Sequence, residues 1–287
     1  MEELQYKAQV LSEALPYIKK FNGKIFVIKY GGHAMVDDDL KKSVIEDIAL
    51  LKYVGINPII IHGGGPEITK EMNKEQIKPV FVDGLRYTDE KTMEIVAKVS
   101  NKINTEIISL LKEMGCEAVD CTRNLILTKI KDEKLGLVGE ITGINYRLLL
   151  EKLNRSFIPV ISPIGFNEQT SQMNNVNADT VAAMVAEAVN AHKLTILTDV
   201  EGVRIKGKLV RNIDLHAVKE GIANGSINLG MIPKLLSCVH SVHNGVNKAH
   251  LINGTIKHSL LLEIFTDKGI GTEIVKNGEQ KIKTYVK

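Results

Sequence analysis

The sequence predicts an α/β protein organised on parallel βαβ units, and three observations predict it. Residues 24–29 (KIFVIK) and 58–61 (PIII) are apolar, β-branched runs fit for buried strands, and each gives way to glycines: Gly31 and Gly32 after the first, Gly63, Gly64 and Gly65 after the second. Between them Leu40, Val44, Ile48 and Leu51 recur at the spacing of one helical face. A comparable strand begins a second α/β half at residues 194–197. Strand, glycine loop, helix and strand in that order make a parallel unit whose crossover is the helix.

The N-terminal segment comes before the first strand. Leu4, Ala8, Leu11, Leu15 and Ile18 are spaced by fours and threes, so a helix with one apolar stripe is expected, kinked by Pro16. The stripe must be buried on this domain or on another subunit. Thr88, ahead of Asp89 and Glu90, is expected to cap a long helix carrying Met93, Val96, Ile103, Ile107 and Leu111. Residues 118–121 read as a strand. Residues 125–144 alternate glycine, charge and β-branched side chains, which suggests hairpins at an edge or lid. Residues 157–162 restore the buried-strand pattern, and Asn177 and Asp179 precede a helix over 180–190. The second half then runs through the loop TDVEGV (198–203), a short hairpin and a helix from about Asp214. GMIPK (230–234) opens the next helix, followed by a strand at 249–252, a helix at 258–265 and a last strand GIGTEIV.

Composition narrows the classes. At 287 residues the chain exceeds the usual single core, so one large domain or two lobes around a cleft are expected. Apolar residues at 44% and charged residues at 25% exclude a disordered or fibrous chain. Lysine and arginine number 37 against 34 acidic residues, with the signs interspersed, which argues against nucleic acid or an anionic membrane as partner. The cysteines, Cys116, Cys121 and Cys238, are odd in number and lack metal-type spacing, so a reducing compartment is expected. No apolar stretch is long enough to span a bilayer and the N-terminus is acidic and amphipathic, so a cytoplasmic location is expected.

Chemistry concentrates at the ends of the predicted strands, where open α/β sheets bind ligands. Neither the dinucleotide fingerprint nor the P-loop pattern is present, so the glycine loops form an anion site of another design. Lys29 ends the first strand beside Gly31 and Gly32; by itself a strand-end lysine is a solvated charge. Lys234 is more telling, because it falls in the first turn of a helix, where the macrodipole disfavours a cation unless an anion is present. Two cations from two halves suit a transferring phosphoryl group, whose charge spreads over its oxygens. In the run Asn175, Val176, Asn177, Ala178, Asp179, helix capping accounts for one polar residue; an aspartate could hold both lysines, and an asparagine amide suits a carboxylate or phosphate oxygen. Arg86 lies in an apparently exposed turn, yet its fork is the best side chain for gripping a carboxylate. His62 is assigned no catalytic role, because phosphoryl transfer to a carboxylate removes no proton.

Taken in order, KYGGHAM (29–35), HGGGP (62–66), DGLRYT (83–88), NVNAD (175–179), TDVEGV (198–203) and GMIPK (230–234) closely resemble the amino acid kinase family, and within it the acetylglutamate kinase branch. The resemblance covers essentially the whole chain. It implies a three-layer αβα sandwich around an open, mainly parallel eight-stranded sheet with an added N-terminal helix. It further implies an N-terminal oligomerisation helix (1–22), an N-terminal lobe for acetylglutamate binding and dimerisation (23–176), and a C-terminal lobe for ATP and arginine (177–287). The implied reaction is ATP- and Mg²⁺-dependent phosphorylation of the side-chain carboxylate of N-acetyl-L-glutamate. Lys29 and Lys234 would stabilise the transition state, with Asp179 orienting them. Gly64, Gly65, Arg86 and Asn175 would bind the acyl amino acid. Gly31, Gly32 and Gly63 would offer N–H groups to phosphates, with Asp199 near the nucleotide; no residue is assigned to hold a metal directly. One departure from the family pattern is Leu229, where a second glycine usually stands.

The N-terminal helix and the segment 250–274 resemble the arginine-inhibited, hexameric branch, a trimer of dimers, with His250, Glu263 and Gly269 at the arginine site. A nitrogen-signalling PII protein is a candidate partner. Glutamate, aspartate and carbamate kinases share the lysine and glycine loops and are the alternatives within the fold. A non-catalytic amino-acid sensor is the alternative outside catalysis, disfavoured by the intact Lys29, Asp179 and Lys234.

Overall fold

The computed structural model describes residues 1–35, 37–267 and 269–276. Lys268 of the tail segment and residues 277–287 at the end of the expected C-terminal lobe lie outside the described residues. Eight strands form the central sheet: β1 (Ile25–Tyr30), β2 (Asn57–His62), β3 (Ala118–Asp120), β4 (Ile158–Ile161), β5 (Lys193–Thr198), β6 (Asn212–Asp214), β7 (Lys248–Asn253) and β8 (Thr272–Val275). Their order across the sheet is β6-β8-β7-β5-β1-β2-β4-β3. All neighbours are parallel except β7 and β8, so the two strands at one edge run against the other six.

The helices are α1 (Glu2–Glu13), α2 (Leu15–Phe21), α3 (Asp38–Tyr53), α4 (Gly65–Lys74), α5 (Glu90–Glu113), α6 (Tyr146–Asn154), α7 (Ala178–Ala188), α8 (Leu215–Ala223), α9 (Ile232–His243) and α10 (Ser259–Ile264). They divide between the two faces of the sheet. Val27, Ile59 and Ile61 face a core built with α6, α7, α8 and α9, whereas Phe26, Ile28 and Ile60 face a core built with α3, α4, α5 and α10. Because successive side chains of a strand point to opposite faces, a strand covered on both sides must be apolar throughout, which is why β1 and β2 carry no alternation. The expected three-layer sandwich is the fold observed.

The hairpins expected over 125–144 are Ile126–Ile130 paired antiparallel with Gly139–Ile144. They join Ile164–Asn167 and Gln172–Asn175 in a separate four-stranded sheet. The latter two strands had no clear sequence signal. The N-terminal helix is two helices, parted at Ala14, with Pro16 in the first turn of α2, where its missing N–H costs nothing. No residue of α1 is buried, whereas α2 buries Phe21 against Phe26 and His192. Of the stripe predicted for burial on this domain or another subunit, Leu4, Ala8, Leu11 and Leu15 are therefore not covered by their own domain, whereas Ile18 is half-buried. The cap of α5 is Asp89, whose carboxylate accepts from Thr92 N at 2.8 Å, and not Thr88. No helix among the described residues is long and apolar enough to cross a membrane.

Candidate active site

β1 and β2 run side by side with Tyr30 opposite His62, so their glycine loops emerge together at the carboxyl ends. The fit there is close. A Cβ on Gly31 would lie 3.1 Å from Lys29 Nζ and 3.4 Å from Gly63 Cα, so a side chain there would crowd the lysine, while Gly32 is required for its positive φ of +72°. Gly63 N donates to Tyr30 O at 2.7 Å, which locks the two loops to each other. This corrects the expectation for Gly63, whose N–H is already used and is not on offer to a phosphate. Gly31 and Gly32 N–H groups make no hydrogen bond among the described residues and stay available.

Lys29, Asp179 and Lys234 come together from distant parts of the chain. Asn177 caps α7 by accepting from Asp179 N (2.9 Å) and Thr180 N (3.0 Å), which turns Asp179 into the first turn and towards the strand ends. Its Oδ1 lies 3.1 Å from Lys29 Nζ and its Oδ2 3.4 Å from Lys234 Nζ. Oδ1 has no well-directed hydrogen bond, so the Lys29 contact is chiefly Coulombic. Asp179 is buried, and burial alone would raise its pKa; the attraction of Lys29 and then Lys234 outweighs it and holds the carboxylate below its ordinary value. Lys234 is indeed in the first turn of α9, with Asp179 as the anion that the placement required. Leu229 is highly exposed in the short 3₁₀ turn Leu229–Met231, with Asn228 Oδ1 accepting from Gly230 N. Its φ is not positive, so the missing glycine leaves the backbone unstrained. Asp199 is exposed just past the end of β5.

Arg86 is buried, contrary to the exposed setting its turn suggested. Its guanidinium donates to Gly65 O (3.0 Å), Thr69 Oγ1 (2.8 Å) and Met72 Sδ (3.1 Å), and lies 4.8 Å from the Phe81 ring centroid. All these partners are neutral, and no carboxylate among the described residues pairs with it. Burial accordingly lowers its pKa. An unpaired buried cation is costly, and an anionic ligand would offset that cost. Gly64 and Gly65 open α4 with no side-chain cap, leaving backbone donors next to Arg86. Asn175 Nδ2 donates to Thr88 Oγ1 at 3.1 Å, and Thr88 in turn donates to Arg86 O at 2.9 Å.

His62 is fully buried. Gly63 O can only accept, so His62 Nδ1 carries the proton and donates to it (2.8 Å), while Nε2 accepts from Ser162 Oγ (3.0 Å). Burial lowers its pKa to about 4, so the ring is neutral and serves to brace the glycine loop.

A second cluster lies on the other half of the sheet. Glu263 Oε1 pairs with Lys193 (3.1 Å) and with His250 Nδ1, and Oε2 accepts from Ile270 N (2.8 Å). Burial would raise the pKa of Glu263, but its hydrogen bond from His250 and these charges bring it to about 2. A Cβ on Gly269 would press within 2.7 Å of Glu263 Oε2. His250, Glu263 and Gly269 thus line one cavity of about 550 Å³, closed on another side by Tyr17 and Lys20 of α2. Lys193 and His250 already engage Glu263 within the protein. Lys193 and Thr88 are not singled out by the sequence: the first shows only as a lysine opening an apolar strand, and the second reads as a helix cap.

An open αβα sheet with two lysines and two glycine loops at its carboxyl ends defines a phosphoryl-transfer class. The chain belongs to the amino acid kinase family, whose family model matches residues 24–253, and it is a kinase of that family. Acetylglutamate kinase of Thermoanaerobacter pseudethanolicus is 51% identical over 94% of this chain and 93% of its own. Acetylglutamate kinase of Methanocaldococcus jannaschii is 48% identical over 96% and 99%. Among solved structures, N-acetylglutamate synthase from Neisseria gonorrhoeae with coenzyme A and N-acetyl-glutamate superposes with a TM-score of 0.84 at 25% identity. That match covers 94% of this chain, which spans only 64% of the synthase.

Proposed function

We propose that this protein transfers the γ-phosphoryl group of ATP to the side-chain carboxylate of N-acetyl-L-glutamate, giving N-acetylglutamyl 5-phosphate in the second step of arginine biosynthesis. The observation that carries the reading is the buried Asp179 carboxylate held between Lys29 and Lys234 at the carboxyl ends of the strands. In the reaction an acceptor carboxylate oxygen bonds to the γ-phosphorus as the bond to the β–γ bridging oxygen breaks and ADP leaves. Negative charge spreads over the oxygens in flight, and two lysines fixed in advance by one aspartate stabilise it without reorganisation. The acceptor is already ionised, so no base is needed, in keeping with a neutral His62.

Residues 23–176 would hold the acyl amino acid and residues 177–287 the nucleotide. Arg86 would take a substrate carboxylate, with Asn175 and the backbone donors of Gly64 and Gly65 completing the grip. Gly31 and Gly32 would present N–H groups to the phosphates, in a space that a side chain on Gly31 would fill, and the Asp199 loop would flank the nucleotide. Magnesium, when bound, neutralises phosphate oxygens; among the described residues no group of three acidic, histidine or cysteine side chains could cage it, so the nucleotide phosphates would be its principal ligands.

Feedback inhibition by L-arginine belongs to the same proposal. The cavity walled by His250, Glu263 and Gly269 lies against α2, so an effector there would touch both the tail segment and the N-terminal extension. The exposed apolar stripe of α1 supports a homo-oligomer, a hexamer built as a trimer of dimers; a PII protein is a further candidate partner. The deciding experiment incubates the protein with MgATP and N-acetyl-L-glutamate and traps the acyl phosphate with hydroxylamine, with and without L-arginine. Glutamate, aspartate and carbamate serve as competing acceptors. Preferential turnover of one of these, or binding without turnover, would replace the reading.

A further inference from the structure

Thr88 is fully buried and uses every polar atom it has. Its N–H donates to Leu135 O (3.1 Å) and its carbonyl accepts from Leu137 N (2.6 Å), so the backbone is threaded into the turn around Gly136. That turn permits no side chain at Gly136, where φ is +66° and a Cβ would fall 2.3 Å from Thr88 O. Leu137 O in turn accepts from Asn175 N at 2.9 Å. Thr88 therefore sits where the Arg86 hairpin, the 133–137 turn and the strand ending in Asn175 meet.

The direction of its hydroxyl hydrogen bonds is forced. Arg86 O can only accept, so the Thr88 hydroxyl spends its one proton there (2.9 Å). Its oxygen must then receive the bond to Asn175, which assigns the facing amide atom as Nδ2 (3.1 Å). Asn175 Oδ1 is left with no partner among the described residues and is turned away from Thr88 as an acceptor. Arg86 and Asn175 are thus tied together, the first a guanidinium with neutral partners and no counter-ion among the described residues, the second with an amide oxygen that has no donor among them.

We infer that Thr88 is a positioning residue for the acceptor substrate, its hydroxyl tying the Arg86 backbone to the Asn175 side chain so that the two grip one ligand together. The inference rests on the acetylglutamate reading above and adds to it how the grip is held in register. It also assigns polarity: Asn175 presents an acceptor, which suits an N–H on the substrate and not a second carboxylate.

Thr88→Val keeps the shape and removes both hydroxyl bonds. Steady-state kinetics should then give a KM for N-acetyl-L-glutamate raised roughly tenfold, the scale of one or two net hydrogen bonds, with the KM for ATP and kcat within about twofold. Thr88→Ser retains the hydroxyl and should restore the wild-type KM. Arg86→Lys, measured alongside, separates the two levels of the claim. If Arg86→Lys raises the acetylglutamate KM and Thr88→Val does not, the positioning role is overturned while the substrate reading stands. Failure of the wild-type protein to phosphorylate acetylglutamate overturns both. Should Thr88→Val not fold, Thr88→Ser decides: an unchanged KM supports the hydroxyl tie, and a raised one means that methyl packing at this position sets the grip and the inference fails.

Discussion

Lys234 occupies a position that a helix tolerates poorly, and it is stable there because Asp179 faces it across 3.4 Å. The same carboxylate faces Lys29, so neither cation has to search for its place when charge develops on a phosphoryl group. Lys234→Ala is therefore expected to fold normally and to lose on the order of 10²- to 10³-fold in kcat, the effect of removing one preorganised donor. Near-normal turnover would remove the two-lysine mechanism. His62 makes a separate demand. Its folded pKa of about 4 lies below the ordinary histidine value, so between about pH 6.5 and pH 4 the unfolded chain binds a proton that the folded one does not. Stability should fall as the pH drops through that window, by up to about 3 kcal/mol from this residue. His62→Gln should flatten the decline in urea midpoint between about pH 7 and pH 4.5; parallel curves would mean that His62 is protonated in the fold.

At the scale of elements, caps and strand ends decide what the loops can present. Asp89 caps α5, and its neighbour Thr88 is thereby freed for the junction with Asn175. Asp89→Ala should cost about 1 kcal/mol in chemical denaturation with little change in either KM. A loss of substrate affinity as large as that expected for Thr88→Val would show that the helix start and the junction act as one unit. The buried-strand runs and the glycine breaks were legible in the sequence because each depends on local spacing, whereas the cap of α7 was legible only as one polar residue of the run 175–179, and the structure selects Asn177. Thr88 was not legible, since two adjacent residues of cap type are equally good candidates until tertiary contacts choose between them. Arg86 misled for a related reason: a turn residue reads as solvated, and its burial comes from α4 and Phe81, both distant from its own turn.

Across the whole molecule, the halves of the chain meet where β1 pairs with β5, and the N-terminal extension lies outside that sheet. α1 leaves Leu4 64% and Leu11 75% exposed, whereas α2 is anchored by Phe21 and by Tyr17, which donates to Asp267. Under the proposed assembly, deleting residues 1–13 should reduce the hexamer to dimers, because an apolar stripe without a partner in its own domain is buried by a symmetric contact. The α2 wall of the 550 Å³ cavity would remain, so acetylglutamate turnover should persist while arginine inhibition weakens through loss of the assembly it acts on. Light scattering and arginine titration of both forms test this. A truncated protein that stays hexameric and fully arginine-sensitive would rule out α1 as the linking element.

By itself the sequence determined the α/β class, the glycine loops at strand ends, the identity of the two lysines and the aspartate, and the family, because motifs and periodicity are properties of short stretches. Only the tertiary structure decided that Gly63 spends its N–H on Tyr30, that Arg86 is a buried cation with neutral partners, that Glu263 is engaged by Lys193, and that Thr88 joins Arg86 to Asn175. Each of these is a pairing between residues far apart in the chain, or a burial imposed by another element. Hydrogen-bond capacity belongs to a residue, but the partner that uses it is fixed by packing.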